Sequence, residues 1–222
     1  MVDTVDGAMV RAGLARAAAR MAELGDLLNR LDAAMGDGDM GITVTKAAAG
    51  LQQYLATAET EEDLGRLVSG AGMAFNRAAP STLGALTATA LMRAGKEARG
   101  LSALDGPALA GMLRAADGGV QERGQAKPGD KTLVDALHPA AEAFAAAIEA
   151  GQGLAAAGAA MLRAARQGRD AAIPLRSRIG RAGWVGERTE NQPDPGAVWL
   201  VQMLEAILGA EYSAPGSTQT PG

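Results

Sequence analysis

The sequence has no cysteine, and only six of its 222 residues are aromatic, two each of Trp, Tyr and Phe. The absence of cysteine excludes a disulfide framework and thiol chemistry. It is typical of a cytoplasmic protein, and we expect this location here. A chain of this length can bury a sizeable core without disulfide or metal staples.

Long apolar runs and basic blocks are also missing. No run of 18 apolar residues occurs, and the N-terminus lacks the basic-then-apolar pattern of a signal peptide, so we expect no membrane association. The 21 basic and 25 acidic side chains give a formal charge of −4 without a basic block, so nucleic acid is not expected as a partner. We expect one domain over residues 1–212 and a disordered polar tail over 213–222.

Alanine and leucine dominate the composition, and both favour helix over strand. Apolar residues recur at helical spacing in eight segments. This pattern predicts an all-α protein, an eight-helix antiparallel up-down barrel or bundle. The predicted helices span residues 5–30, 43–58, 60–75, 83–98, 107–122, 133–150, 154–172 and 197–209.

The links between these helices alternate in character. Links one, three, five and seven, at 32–41, 76–82, 124–132 and 173–196, are polar, Gly-rich or Arg-rich. The intervening links are short and plain. In an up-down arrangement all odd-numbered links emerge at the same end of the bundle. The sequence therefore predicts that all four polar, Gly-rich or Arg-rich links lie on one rim.

Link one holds three carboxylates within eight residues, Asp32, Asp37 and Asp39, interleaved with glycines. Clustered carboxylates repel one another unless a cation lies between them. Mg²⁺ takes oxygen ligands, commonly a few carboxylates together with phosphates. The alternative is a solvated turn, in which Asp and Gly are common. An EF-hand is excluded because Gly41 and Ala48 would occupy its positions five and twelve.

The other odd links supply groups that bind anions. Ser81 and Thr82 precede a helix, whose N-terminal amides are a ready anion site. Link five contains Gly124 and the run Lys127–Thr132, and link seven contains Arg176, Arg178, Arg181 and Arg188. Metal, arginine and helix N-termini together favour polyphosphate binding and phosphoryl transfer. A P-loop and a protein-kinase Gly-rich loop are both absent.

Three ordered segments resemble the nucleotide-binding L subunit, or the equivalent C-terminal domain, of dihydroxyacetone kinases. They are 31–41, 127–137 and 180–197, within a resemblance that covers about residues 5–210. The family fold is an eight-helix antiparallel barrel. The resemblance implies phosphate transfer from Mg²⁺-bound ADP or ATP to a small hydroxyketone. In the family this ketose is a covalent hemiaminal on a histidine of a K-type subunit or domain, so we expect such a partner.

The resemblance also implies roles for individual residues. Asp32, Asp37 and Asp39 would hold two Mg²⁺ ions, and with Arg181 they form the implied catalytic set. The nucleotide would be surrounded by Met40, Gly41, Ile42, Thr43, Ser81, Thr82, Gly84, Gly124, Leu133, Arg181, Asp194, Pro195 and Gly196. A phosphocarrier subunit that rephosphorylates bound ADP and a homodimer are left open.

Three departures from the family pattern touch the nucleotide side. Met40 stands where the family commonly has His, residues 81–84 read Ser-Thr-Leu-Gly instead of Gly-x-Ser-Gly, and Gln192-Pro193 replaces Gly-His. The three carboxylates implied as metal ligands are all present, but the identities of the phosphate donor and of the phosphate acceptor stay open. The alternatives are a kinase subunit for another small ketose, sugar or acyl substrate, a non-catalytic nucleotide-bound regulatory or adaptor subunit, and a plain helical bundle.

The remaining candidates are interpreted as structural. His138, the only histidine, has no acidic partner in the local sequence, so a structural or exposed role is favoured over catalysis. Trp184 and Trp199 are expected to pack in the core. Lys127 and Lys131 are assigned no role.

Overall fold

The structure is a computed structural model that describes residues 4–216, without the side chains of Arg181, Trp184 and Val185. It is all-α, as predicted, apart from one short strand pair, β1 (Val5–Asp6) with β2 (Ala103–Leu104). The α-helices are α1 (Gly7–Glu23), α2 (Gly25–Met35), α3 (Met40–Thr57), α4 (Leu64–Ala78), α5 (Thr82–Glu97), α6 (Gly106–Gly124), α7 (Val134–Glu149), α8 (Leu154–Ala171), α9 (Gly180–Val185) and α10 (Pro195–Leu208).

Two elements differ from the prediction. The first predicted helix is divided at Leu24 into α1 and α2, and α2 continues to Met35, so that Asp32 lies on a helix and not in a loop. The segment Asp32–Met35 has good helix formers, and Gly36 is the first residue that stops it. Link seven contains α9 and a 3-10 helix at Gly186–Thr189, whose high glycine content hid them from a periodicity analysis.

The long helices close into a ring. Each helix from α3 to α7 packs against the next one in sequence, up to α8, and α10 packs against α7 and α8. The ring is completed because α1 contacts both α3 and α10. The first and last long helices are therefore neighbours, and each odd link joins two adjacent walls of the ring.

The core is built mainly from alanine, leucine and methionine. Trp199 on α10 is buried, and its ring meets Phe75 edge-on with centroids 5.9 Å apart. The prediction that Trp199 packs in the core is confirmed. Among residues 4–216 no helix combines the length and apolar character that a membrane span requires.

The helix starts are set by side-chain caps. Asp6, Asp63, Ser81, Asp105 and Asp194 each accept a hydrogen bond from an amide in the first turn of the following helix. Such caps satisfy amides that the helix itself leaves unpaired. The caps of α5 and α10 are particularly relevant, because both helices begin at the rim that the sequence predicts to be functional.

After α10 the chain continues as an ordered extension that packs against α8. Arg169 is only 1% exposed, and its guanidinium donates to the carboxylate of Asp170 and to the carbonyls of Ser213 and Ala214. The buried carboxylate of Glu205 accepts hydrogen bonds from the amide and hydroxyl of Ser213. Residues 213–216 of the expected tail are thus hydrogen-bonded to helices, and residues 217–222 lie outside the described part.

Candidate functional site

Links one, three, five and seven meet around one cavity of about 200 Å³. This agrees with the prediction that the odd links share a rim. The cavity is lined by Met40, Thr82, Leu83, Leu86, Val120, Gly124, Ala126, Thr132, Leu133, Val134, Ile179, Gly180, Asp194 and Gly196. Most of these side chains are apolar, so the cavity suits a flat or apolar group better than a phosphate.

Three carboxylates stand at the edge of this cavity. Asp32, Asp37 and Asp39 each present an oxygen, and these oxygens lie within 4.8 Å of one another. Asp39 immediately precedes the cavity residue Met40. Three anionic oxygens at this separation match the hard ligands that Mg²⁺ prefers, so the donor set fits this ion.

The turn that carries the carboxylates is built by Asp32 itself. Its Oδ2 atom accepts hydrogen bonds from the backbone amides of Gly38 at 2.9 Å, Asp39 at 3.0 Å and Met40 at 3.3 Å. Gly38 has φ +77°, a left-handed conformation that glycine adopts without strain. The Oδ2 atom of Asp32 thus shapes the turn that carries Asp37 and Asp39.

A close contact between α2 and α3 positions this turn. The amide of Gly41 donates a 2.7 Å hydrogen bond to Oδ1 of Asn29, and a side chain at Gly41 would collide with the carbonyl of Gly25. Sequence reasoning assigned no role to Asn29 or Gly25, because only the packing of the two helices brings them to Gly41.

Link three contributes a helix N-terminus. The Oγ atom of Ser81 accepts a 3.0 Å hydrogen bond from the amide of Gly84, so this side chain is used as the cap of α5. Thr82 lines the cavity, whereas Ser81 and Gly84 do not. Gly84 is buried, and a side chain there would collide with the carbonyl of Ala79. Both residues therefore shape the loop behind Thr82.

Asp194 in link seven is a buried carboxyl that faces the cavity. Its Oδ2 atom accepts a 2.7 Å hydrogen bond from the amide of Ala197 and so caps α10. The pKa of Asp194 is raised to about 7, mainly because burial disfavours the charged form. The carboxylate of Asp135 contributes to this rise, whereas the hydrogen bond from the amide of Ala197 and the charge of Lys131 oppose it. Near neutral pH this side chain can be a hydrogen-bond donor as well as an acceptor.

Most arginines of link seven are not brought to the cavity. Arg176 forms ion pairs with Glu187 at 3.1 Å and Glu190 at 2.8 Å. The side chains of Arg178 and Arg188 are exposed, and neither residue is part of the cavity wall. The expectation that these three arginines join a phosphate site is therefore not supported by their positions. The side chain of Arg181 lies outside the described residues.

The other predicted nucleotide residues divide into two groups. Met40, Thr82, Gly124, Leu133, Asp194 and Gly196 line the cavity. Gly41, Ile42, Thr43, Ser81, Gly84 and Pro195 flank it in the same turns and first helical turns. Ile42 is 52% exposed, a high value for an isoleucine beside a carboxylate cluster. Sequence reasoning missed the wall formed by Leu86, Val120, Ala126 and Ile179, which local patterns do not distinguish from ordinary core.

His138 has an acidic partner that the local sequence does not show. Its Nδ1 atom lies 2.8 Å from Oδ2 of Asp117 on α6, and Gln121 donates to the same oxygen. Neither His138 nor Asp117 lines the cavity. The structural interpretation of His138 is therefore kept, with Asp117 as its partner across two helices.

Sequence comparison matches this chain to a family model and to several known proteins. The model of the DAK2 domain family matches residues 34–209. L-erythrulose kinase of Pectobacterium atrosepticum is 34% identical over 197 residues, which are 87% of this chain and 33% of that protein. The ADP-binding subunit DhaL of the PEP-dependent dihydroxyacetone kinase of Escherichia coli is 29% identical over 182 residues, 82% of this chain and 86% of that protein.

Comparison with solved structures finds a dihydroxyacetone kinase with a similar fold. The crystal structure of the dihydroxyacetone kinase of C. freundii aligns with a TM-score of 0.71 and 25% identity, covering 93% of this chain and 35% of that chain. The same kinase in complex with AMP-PNP and Mg²⁺ aligns with a TM-score of 0.69. The chain thus spans about a third of the length of these kinases and most of the length of DhaL.

Proposed function

This chain belongs to the DAK2 domain family, and on that premise we propose that it is the nucleotide-binding part of a dihydroxyacetone-kinase-like phosphotransferase. It would donate phosphate from an adenine nucleotide to the hydroxyl group of a small hydroxyketone. The observation that carries this proposal is the adjacency of the carboxylate cluster and the apolar cavity, which meet at Asp39 and Met40.

The two parts of the site suit the two parts of a nucleotide. A cavity of about 200 Å³ is smaller than the ~300–1,000 Å³ typical of pockets for whole ligands. It can take a base between Leu133, Ile179 and Leu86, and the phosphates would then extend over the rim toward Asp39. The amides at the start of α5, next to Thr82, are suited to bind phosphate oxygens.

Asp32, Asp37 and Asp39 would hold Mg²⁺, and two ions are part of the proposal. Bound there, the metal would neutralise phosphate charge and polarise the transferred group. The protein's own contribution is positioning. Asp32 orders the turn through three amides, and the hydrogen bond from Gly41 to Asn29 fixes the start of α3 against α2. Arg181 remains a proposed phosphate ligand from the motif alone.

We propose that the acceptor is carried by a K-type partner subunit or domain. The name of the Escherichia coli relative, an ADP-binding subunit, supports a division of labour between parts of such a kinase. The erythrulose kinases among the relatives make a C4 ketose as suitable an acceptor as dihydroxyacetone. A phosphocarrier that feeds bound ADP, a homodimer and a location in the cytoplasm belong to the same proposal.

Calorimetry with ADP and ATP, each with and without Mg²⁺, tests the nucleotide site on the wild type and on Asp37→Ala. We expect binding that requires Mg²⁺ in the wild type and is lost in the variant, while far-UV circular dichroism stays unchanged. Unchanged affinity in Asp37→Ala would contradict the assignment of the cluster. Phosphate transfer is then assayed with K-type partners and a panel of ketoses.

One observation favours a second candidate, a nucleotide-bound adaptor without catalysis. Met40 lines the cavity where the family commonly has His, and a thioether cannot donate a hydrogen bond to phosphate. Met40→His distinguishes the two functions. A gain of phosphotransfer in this variant over an inactive wild type would support the adaptor.

A further inference from the structure

Lys131 is a buried cation that joins two rim loops far apart in sequence. It is 1% exposed, and its Nζ donates hydrogen bonds of 2.6 Å to the carbonyl of Ile173 and 2.8 Å to the carbonyl of Leu175. We call these three residues the Lys131 clasp. Hydrogen bonds from a charged donor are stronger than those between neutral groups. The clasp therefore connects links five and seven through two strong hydrogen bonds.

The backbone of Lys131 indicates that its side chain is needed. Its φ is +59°, a left-handed conformation that costs free energy for any residue with a Cβ. Glycine or asparagine would fit this conformation with less strain. A lysine in this conformation is explained by its two hydrogen bonds to carbonyls, which offset the backbone strain.

Link five is ordered by two carboxylates, that of Asp130 within the link and that of Asp135 in the first turn of α7. The two oxygens of Asp135 accept the amides of Gly129 at 2.6 Å and Thr132 at 2.8 Å, and Asp130 accepts the amide of Lys127 at 2.9 Å. A second link runs alongside the clasp, because the amide of Arg178 donates to the carbonyl of Asp130. The loop is therefore rigid where Lys131 leaves it.

The clasp lies directly behind two walls of the cavity. Thr132 and Leu133, which line it, follow Lys131 in sequence, and Ile179 and Gly180 come a few residues after Leu175. The distance between the Leu133 and Ile179 walls is thus set by the link between the two loops. Burial lowers the pKa of Lys131, and the nearby carboxylates of Asp194, Glu190 and Asp135 counteract this and favour the charged form.

From this geometry we infer that Lys131 is a positioning residue for the nucleotide, which holds links five and seven at the separation that the base requires. The inference rests on the proposed function. Lys131 would touch neither phosphate nor metal, and its effect would pass through the walls of the cavity. It accounts for a charged side chain that is completely enclosed next to a binding cavity.

The test compares Lys131→Met with two controls. Lys127→Met removes an exposed amine from the same loop, and Lys131→Arg keeps a cation that can donate to the carbonyls. Two measurements are made on each protein. Hydrogen exchange of the free protein reports on residues 173–180, and calorimetry with ADP and Mg²⁺ gives affinity and stoichiometry separately.

In Lys131→Met we expect faster exchange over 173–180 and an ADP affinity reduced by about tenfold or more at unchanged stoichiometry. Lys127→Met should behave as wild type, and Lys131→Arg should recover most of the affinity. Mn²⁺ binding without nucleotide should be equal in all four proteins, because the carboxylate cluster lies on another link. A variant that only misfolds would instead lose stoichiometry and Mn²⁺ binding together.

Two results would overturn the inference. Unchanged exchange in Lys131→Met would show that the clasp does not hold link seven, and faster exchange with unchanged ADP affinity would show that the clasp does not position the nucleotide. A wild type that binds no ADP would overturn the proposed function, and the positioning role with it. The exchange data would then still report separately on whether the clasp exists.

Discussion

The carboxylate of Asp32 accepts a 2.9 Å hydrogen bond from the amide of Gly38, six residues further along the chain. Asp32 therefore differs from Asp39, whose exposed side chain caps no amide of α3. We expect Asp32→Ala and Asp39→Ala both to lose Mn²⁺ or Mg²⁺ binding. Only Asp32→Ala should also lower the free energy of unfolding, by about 1–3 kcal/mol, because three amides lose their acceptor. Urea unfolding of the metal-free variants makes the comparison, and equal stabilities would contradict it.

Replacing Gly41 with alanine should disrupt the turn from its other side. The new methyl group would meet the carbonyl of Gly25, and α3 would have to move away from α2. We expect a loss of about 1–3 kcal/mol, the usual cost of overpacking, together with weaker metal binding. Gly111→Ala is the matched control. A methyl group on α6 at this position meets nothing within 4 Å, and alanine is the better helix former, so stability should rise slightly.

Asp194 predicts a pH dependence of stability. Its pKa is raised to about 7 in the folded protein, above the 3.8 of an unperturbed carboxyl. The folded state therefore binds this proton more tightly than the unfolded state does. The stabilisation that the bound proton provides is complete below about pH 4 and is lost as the pH rises to about 7. The difference between a pKa of 3.8 and one of about 7 corresponds to about 4 kcal/mol in the free energy of unfolding. Asp194→Asn keeps the cap and removes this loss, so the variant should gain stability over wild type at pH 8 and much less at pH 4.5.

Asp105→Asn is the control for this measurement. Asp105 caps α6 in the same way, through a 2.9 Å hydrogen bond from the amide of Ala108, but its side chain is exposed. Its replacement should leave the difference between pH 4.5 and pH 8 as it is in the wild type. If Asp194→Asn also left this difference unchanged, the carboxyl would not be protonated in the folded state.

Arg169 should be a strong determinant of stability. Its guanidinium is enclosed by Asp170 and by the carbonyls of Ser213 and Ala214. Arg169→Met would leave the carboxylate of Asp170 without its cationic partner, and we expect a loss of about 3–5 kcal/mol in the free energy of unfolding, measured by thermal or urea unfolding. Arg163→Met on the exposed face of the same helix should change stability by less than about 0.5 kcal/mol. Similar losses in both variants would refute the importance of the buried network.

Helical periodicity was sufficient to predict the all-α fold, because apolar residues recur at helical spacing in the long helices and the links between them are recognisable by their composition. The alternation of plain and polar links also predicted that links one, three, five and seven would share a rim, and Met40, Thr82, Gly124 and Asp194, one from each link, line the same cavity. This succeeded because an up-down chain leaves little freedom in which end a link occupies. The assignment of the metal cluster to Asp32, Asp37 and Asp39 remains a prediction, supported by their proximity.

Contacts between residues distant in sequence could not be predicted. Lys131 reaches Ile173 across 42 residues, and His138 reaches Asp117 across 21. Nothing in the neighbouring sequence distinguishes Lys131 and His138 from surface residues, because helix packing determines which groups lie next to them. Asp32 was misplaced for a local reason. Its helix continues to Met35, but the Asp/Gly composition of the segment is typical of a loop.

Because α1 packs against α10, the ring of helices is closed, and its shape depends on the cyclic order of the helices but not on where in that order the chain begins. The polypeptide could therefore be given new ends by circular permutation. Opening it at residues 151–153, an exposed turn between α7 and α8, would leave all four odd links intact. Opening it in link five would cut between Asp130 and Asp135, which order the loop. The turn at residues 151–153 is thus a place where a fusion partner, a fluorophore or a surface tether can be attached away from the four links that surround the cavity.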